Sequence, residues 1–563
     1  MSAVGGSESA IEERPRRSVA KLGPRIRARL RILEATRAPL ILIIAVGALL
    51  RFVPTAFGSF PLGDGGLYLV MVKAFEAGGL AIPSSVTYGA QALPYAYPPA
   101  AFWLTAVAHN LTGLDELRLM MLLPPAFATA AIGAAYLAAR AFFESEPVFT
   151  RAHSPRRLAL VAATIFALAP GAYQVVILGG GLTKAPGLFF VLLALWRLLV
   201  LLTRQRPSDV LALALFGGVA ALFHPDGALF LALSAVVLLV WHASWRVAGL
   251  LIAAAAGSAL VCAPWWLSVL ANHGSAPLFS ASGLGLNPTL ASLSFLVIPL
   301  IGMTVFLPVL VALGLVVSAR RRSAVLAIWL FAVCLADARN SSHDGTFIVA
   351  LLGAVGALYG GLPLARAVLR LFGAAGLLRG VKPASLAVVL ALAALILVPA
   401  QALLVPLSAV GLRIPLGPGD LAAFSAVQER TSPETSAAVI TGVGWGYDDL
   451  SEWFPALTGR TSVNTVQGYE WAGSNVWAAK NLLSGNLQNC VNAAAPLSCV
   501  ESTLARYHAP VGLLYVAGPQ SETAQAAGED LTAALRTQLD ADGAHWRLLF
   551  RSSAASVYVT VSS

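Results

Sequence analysis

The sequence predicts an α-helical polytopic membrane protein with about eleven transmembrane helices and a small extracytoplasmic α/β domain at its C-terminal end. Three observations predict it. The composition is 58% hydrophobic and only 11% charged, too few charges to cover several soluble domains of a 563-residue chain. Long apolar stretches broken by short basic loops recur from residue 39 to about 409. After residue 410 an ordinary polar balance returns, so two unlike regions share the chain.

Residues 1–38 form a basic arm carrying Arg14, Arg16, Arg17, Lys21, Arg25, Arg27, Arg29 and Arg31. It is too long for a typical signal peptide and lacks a small-residue cleavage site, so the first span is expected to stay as an anchor. The transmembrane region, 39–409, divides into spans at 39–57, 118–139, 158–178, 185–203, 210–224, 227–243, 247–270, 294–318, 323–338, 346–364 and 385–409. With the arm in the cytoplasm, the basic clusters at 140–157, 204–209, Arg246, 319–323 and 365–384 all fall inside, as the positive-inside rule requires. The net charge of +10 therefore serves orientation, and nucleic acid is set aside as a partner. The outer face keeps few cations between spans, essentially Arg51, Lys73, Arg118, Lys184 and Arg339. An odd number of spans sends the tail outside.

The first outer loop, 58–117, is long and not polar. It reads as two amphipathic helices at the membrane interface, one from Gly66 to Glu76 closed by Gly78-Gly79, the other from Pro98-Pro99 to His109. A loop of this length with apolar faces usually covers something. In the tail, 410–563, strand-like runs at 437–440, 511–516 and 545–560 alternate with helix-like stretches, the pattern of an α/β domain. Cys262 and Cys334 fall in apolar spans as core filler, whereas Cys490 and Cys499 sit close together in the tail. Oxidised, that pair would contribute roughly 2–3 kcal/mol by chain entropy and would require an oxidising compartment.

The sharpest local signal is Pro61-Leu62-Gly63-Asp64-Gly65-Gly66, which places a carboxylate just outside the first span, with Tyr95-Ala96-Tyr97-Pro98-Pro99 later in the same loop. A carboxylate there is costly unless used or paired. Asp64 reads either as the N-cap of the helix that follows or as a catalytic acid, and the two are compatible.

This layout of a short arm, one span, a long amphipathic outer loop opening on an acid and carrying a Tyr-Pro-Pro element, and then many spans resembles the GT-C class of membrane glycosyltransferases. The likeness is greatest to the protein mannosyltransferase and aminoarabinose transferase branch, over roughly residues 39–360. The resemblance implies a polyprenyl-phosphate sugar donor, an extracytoplasmic active site and a first-loop carboxylate as catalytic base, a position held here by Asp64. Members often carry an acidic pair, whereas Asp64 precedes Gly65, so a divalent metal stays open without the support of an acidic pair and no cofactor is assigned.

Lys184, in the turn Gly179-Gly180-Gly181-Leu182-Thr183-Lys184, breaks the positive-inside pattern. An anionic lipid phosphate would explain it, and so would snorkelling at a helix end. Free backbone N–H groups of the glycines suit a phosphate as well. Arg339, in Asp337-Ala338-Arg339-Asn340-Ser341-Ser342-His343-Asp344, can read phosphate oxygens bidentately or pair with its neighbouring acids. His224-Pro225-Asp226-Gly227 is a second polar knot on the same side, readable as a turn. Tyr97, His224, Asp226, His343 and Asp344 are the candidate substrate contacts in the membrane region. In the tail they are Trp445, Asp448, Asp449, Trp453, Glu470 and Trp471, whose rings and carboxylates suit a sugar, a domain core or a seat on the membrane equally. Trp265-Trp266 reads as an interfacial aromatic belt.

Zinc spacing, a Walker loop and a nucleophile elbow do not occur in the sequence. The expected function is a glycosyltransferase of a prokaryotic plasma membrane, serving the cell envelope. It moves a sugar from polyprenyl phosphate to an extracytoplasmic glycan, lipid or protein acceptor, with Asp64 as general base and Lys184 and Arg339 on the leaving phosphate. The rivals are a transporter or flippase of lipid-linked saccharides, for which midplane ionisable residues and inverted repeats would be expected, and a non-catalytic membrane scaffold for the tail.

Overall fold

The computed structural model describes residues 24–56, 60–361 apart from 62, 90, 243, 281–305 and 337–340, residue 363, and 416–561 apart from 522–523 and 525–526; for 24–37, 91, 177, 279–280, 306 and 341–342 it describes the backbone alone. Helix α1, Pro24–Ala56, joins the described part of the basic arm, from Pro24 on, to the first span in one helix. Its segment Ala38–Ala56, together with α4 (Glu116–Ser145), α6 (Gly181–Arg204) and α8 (Pro225–His242), is long and apolar enough to cross a membrane. Helices α9 (Trp245–Val261) and α10 (Ala263–His273) make a fifth crossing only if taken together, bent by 61° at Cys262. Pro264 at the start of α10 supplies the reason, since it cannot donate back to the preceding turn. The expected straight span 247–270 is thus a broken one.

Shorter apolar helices fill out the bundle: α7 (Pro207–Phe223), α11 (Phe306–Arg320), α12 (Val325–Ala336) and α13 (Thr346–Gly356), the last running into a π-turn to Gly361. The expected span 158–178 is cut short. Helix α5, Pro155–Leu168, ends before Pro170, which holds Ala169 extended (φ −76°, ψ 118°), and two 3-10 turns follow to Ile177. Part of the span at 294–318 and all of that at 385–409 lie outside the described residues. The architecture is that of a multi-pass membrane protein whose core of alanine, leucine and phenylalanine runs through α4, α5, α6 and α13.

The long loop 58–117 after the first span carries both expected helices, α2 (Gly65–Ala77) and α3 (Ala100–Thr112). Between them stands an unforeseen antiparallel hairpin, β1 (Ser85–Tyr88) with β2 (Gln91–Pro94). Its turn includes Gly89 at φ 67°, the left-handed conformation glycine adopts without cost.

Residues 416–561 build a five-stranded sheet of order β4-β3-β5-β7-β6 from β3 (Ser436–Ile440), β4 (Thr461–Ser462), β5 (Leu513–Ala517), β6 (Trp546–Arg551) and β7 (Ala555–Thr560). The β4-β3-β5 pairs are parallel and the β5-β7-β6 pairs antiparallel. The run read as one strand over 545–560 is the β6-β7 hairpin.

The period of two along each strand decides what the sheet touches. Ala438, Ile440, Leu514, Val516 and Tyr558 face a core with the helices Ser474–Asn489 and Pro496–Arg506. Ala437, Val439, Leu513, Tyr515, Val557 and Val559 face the other way, into one continuous core with Leu67, Tyr68, Val72 and Phe75 of α2. The apolar face of α2 is therefore covered by the tail and not by lipid headgroups, which corrects the interfacial reading. Cys490 and Cys499 are joined in a disulfide, Cα atoms 5.5 Å apart.

Candidate active site

Asp64 stands immediately before α2, at its N-cap position, yet its side chain makes no capping hydrogen bond to the helix. The cap reading thus loses its physical content, since the cap contribution comes from that bond. Two glycine approaches fix where the carboxylate sits. A Cβ on Gly179 would lie 2.4 Å from Gly65 N and 2.8 Å from Asp64 C, so the Asp64 turn and the turn that starts α6 are in backbone contact. One residue on, a Cβ on Gly180 would lie 3.9 Å from Asp64 Oδ2. The carboxylate therefore looks at the N-terminal turn of α6, and Lys184 N donates to Gly180 O at 3.0 Å one helical turn further.

The tail holds the same turn from the other side. Asp449 Oδ1 accepts from Gly63 N at 2.5 Å, and Trp453 Nε1 donates to Pro61 O at 3.1 Å. Gly65 and Gly66 permit this approach, because a Cβ on them would meet Trp453 at 2.5 Å and Glu452 O at 2.3 Å. Trp453 also packs edge to face on Phe60, and Tyr88 of the hairpin donates to the Glu452 carbonyl. Asp449 and Trp453 are thus supports of the Asp64 turn.

Two tyrosines line the approach to Asp64. Tyr68, whose N donates to Asp64 O at 3.0 Å, shares a 2.5 Å hydrogen bond with Tyr97 through the two hydroxyls, and both phenols also bond Thr183. Burial first pushes both phenols well above the usual tyrosine range, with the Asp64 charge next for Tyr97 and the Tyr97 phenol, then Asp64, for Tyr68, so they stay protonated donors. Tyr97 packs on Trp471 at 5.2 Å and on His224 at 6.3 Å. Trp265 Nε1 donates to Ala96 O at 3.1 Å, so this residue, 9% exposed, holds the Tyr97 loop instead of joining an aromatic belt.

Beside this aromatic wall is a narrow pocket lined by Lys184, Gly187, His224, Asp226, Gly227, His343 and Asp344. Its room is ≈ 10 Å³, about one water, so side chains must part to admit a phosphate. His224 Nδ1 accepts from Asp226 N at 3.3 Å. His343 donates from Nδ1 to Gly171 O at 3.0 Å, and its buried ring forms part of the pocket wall. Burial, with Lys184 and His224 adding repulsion, lowers its pKa to about 4, so it is neutral at pH 7.

The membrane-region candidates Asp64, Tyr97, Lys184, His224, Asp226, His343 and Asp344 thus come to one end of the bundle. Arg339 lies outside the described residues. The tail candidates divide. Trp471 reaches the aromatic wall; Glu470 is felt electrostatically by Tyr88. Trp445 packs on Trp477 at 6.1 Å. Asp448 caps the helix Asp449–Thr458, accepting from Ser451 N at 3.0 Å and Thr441 Oγ1 at 3.0 Å, and burial raises its pKa to about 6. Tyr68 and Thr183 went unread in the sequence, although each sits one turn from a residue that was singled out.

Among the described residues, the His and carboxylate group compact enough for a metal is Glu76, His109 and Glu116, with ligand atoms within 4.8 Å of one another. Glu76 lies at the far end of α2 from Asp64, roughly 18 Å along the axis at 1.5 Å per residue. A metal there would not reach the Asp64 turn, so no metal step is assigned to it.

No protein-family model matches the chain, and no curated protein matches it by sequence. Solved structures do. ArnT from Cupriavidus metallidurans in the apo state superposes with TM-score 0.53 at 16% identity, covering 94% of this chain and 99% of that one. The same protein bound to undecaprenyl phosphate gives 0.51 at 15%, covering 93% and 98%. The archaeal oligosaccharyltransferase AglB from Archaeoglobus fulgidus, in complex with an inhibitory peptide and a dolichol-phosphate, gives 0.52 at 15%, covering 86% and 69%. These neighbours are GT-C glycosyltransferases, and the chain has the fold they share.

Proposed function

We propose that the protein transfers a sugar from a polyprenyl-phosphate donor to an acceptor outside a prokaryotic plasma membrane. In this reading eleven spans place the N-terminus in the cytoplasm and the Asp64 site with the tail on the outer side. The observation that carries the proposal is the backbone contact between the Asp64 turn and the glycine turn of α6, which sets a carboxylate within one helical turn of Lys184. A sugar hydroxyl or other neutral acceptor is a poor nucleophile, and a carboxylate that takes its proton during attack on the anomeric carbon lowers the barrier. The departing polyprenyl phosphate carries charge that Lys184, with Arg339, would hold. Tyr68 and Tyr97 supply protonated hydroxyls to orient substrate beside Asp64.

Both fold neighbours with a lipid carrier in their structures hold a polyprenyl-type phosphate, undecaprenyl phosphate in ArnT and dolichol-phosphate in AglB, which supports the donor class. The test is to incubate the purified protein in lipid nanodiscs with polyprenyl-phosphate-linked pentoses and hexoses and follow release of polyprenyl phosphate. Acceptor-dependent release from one donor is expected. No release from any donor, from protein that retains polyprenyl phosphate through purification, would contradict transfer and favour a carrier.

A further inference from the structure

At the opposite end of the bundle a second cavity, of ≈ 330 Å³, lies between the end of α8 and the turn joining α11 to α12. It is far from the Asp64 end: α8 begins at Pro225, next to His224, and Trp241 near its other end lines this cavity. An 18-residue helix separates the two by about 27 Å. The polar lining is Ser318, Arg322 and Ser323. Ser318 is 2% exposed and Ser323 4%, and neither hydroxyl has a hydrogen-bond partner among the described residues. Two buried hydroxyls left unpaired around a cavity of about ten waters' volume call for a ligand with acceptor oxygens.

The cation beside them is placed with intent. The turn closes α11 by Ser323 N to Ser318 O at 3.0 Å and Arg322 N to Ala319 O at 3.0 Å. This is a Schellman motif whose left-handed position, φ 57°, holds Arg322 where glycine is the usual residue. Arg321, by contrast, is turned away onto Val148 O and the Tyr359 ring. Trp241, 36% exposed, adds an aromatic ring of the kind found at headgroup depth. Chain neighbours of the lining residues are apolar and bare: Val240 is 74% exposed and Ile328 48%. A cation, two hydroxyl donors and a tryptophan bordered by acyl-facing side chains describe a seat for a phospholipid headgroup.

We propose that this cavity binds an anionic glycerophospholipid, its phosphate on Arg322 and its glycerol oxygens on Ser318 and Ser323. The full-length protein, purified in mild detergent and titrated with phosphatidylglycerol or phosphatidylcholine, reports retained lipid by native mass spectrometry. Phosphatidylglycerol should be retained in preference to phosphatidylcholine. Arg322→Gln with Ser323→Ala should lower that retention about tenfold, whereas Arg322→Lys should keep most of it. Arg204→Gln, an exposed charge at the same end of the bundle, should change it only a few-fold through general attraction. Equal loss in the Arg204 and Arg322 variants, undiminished retention in the double variant, or displacement of the lipid by millimolar inorganic phosphate would each overturn the proposal. Because lipid retention is read without any sugar transfer, its failure is separate from failure of the proposed activity.

Discussion

Lys184 and His343 face one pocket, and their chemistry differs in a way that can be measured. A cation that holds the donor phosphate in ground and transition states alike contributes uniform binding, so Lys184→Ala should raise the donor KM more than it lowers kcat. Unchanged donor kinetics in a folded variant would return Lys184 to a snorkelling role. His343 carries a proton less readily when folded, with a pKa near 4 against an ordinary 6.5. Its contribution to stability is therefore present above about pH 6.5 and is lost as pH falls toward 4, because the unfolded chain takes up the proton first. Thermal stability of the wild type should fall between pH 7 and pH 5, and His343→Gln should flatten that loss. An identical pH slope in the variant would contradict it. Asp64 was legible as a residue of interest from its place at the mouth of the first span, whereas its missing cap bond was not, since a cap and an uncapped turn have the same sequence.

At the scale of elements, α2 and α3 were readable from their glycine and proline boundaries, and the tail strands from their alternation. The β1-β2 hairpin was not, because strands of four residues that run through Ala92 and Pro94 carry little periodic signal. The partner of α2 was equally hidden, since an amphipathic helix announces that it buries a face without naming what covers it. Here the answer is Trp453 and the sheet, which makes the Asp64 turn dependent on a residue nearly 400 positions away in the chain. Trp453→Ala removes a fully buried ring and should cost about 3–5 kcal/mol of the tail's stability. It should also reduce turnover, as the Pro61–Gly66 turn loses its support. A variant of near-normal stability measured by denaturant unfolding would show that the docking is weaker than its packing suggests.

For the whole molecule, the charge pattern and the cysteine pair predict an extracytoplasmic tail by independent routes, and the structure adds the Cys490–Cys499 disulfide and the seating of the tail on the loop after the first span. Intact cells treated with a membrane-impermeant maleimide should label neither cysteine until reductant is added. Free labelling without reductant would contradict an oxidised tail, and absence of labelling even after reduction and denaturation of sealed cells would place it inside. The one measurement that bears most directly on the account is the rate of polyprenyl phosphate release by Asp64→Asn, assayed with the donor the wild type accepts. Asparagine keeps the shape and packing of the turn but cannot take a proton, so turnover should fall roughly 10²–10⁴-fold with donor binding intact. Transfer at more than about a tenth of the wild-type rate, well short of that range, would mean that Asp64 is not the base.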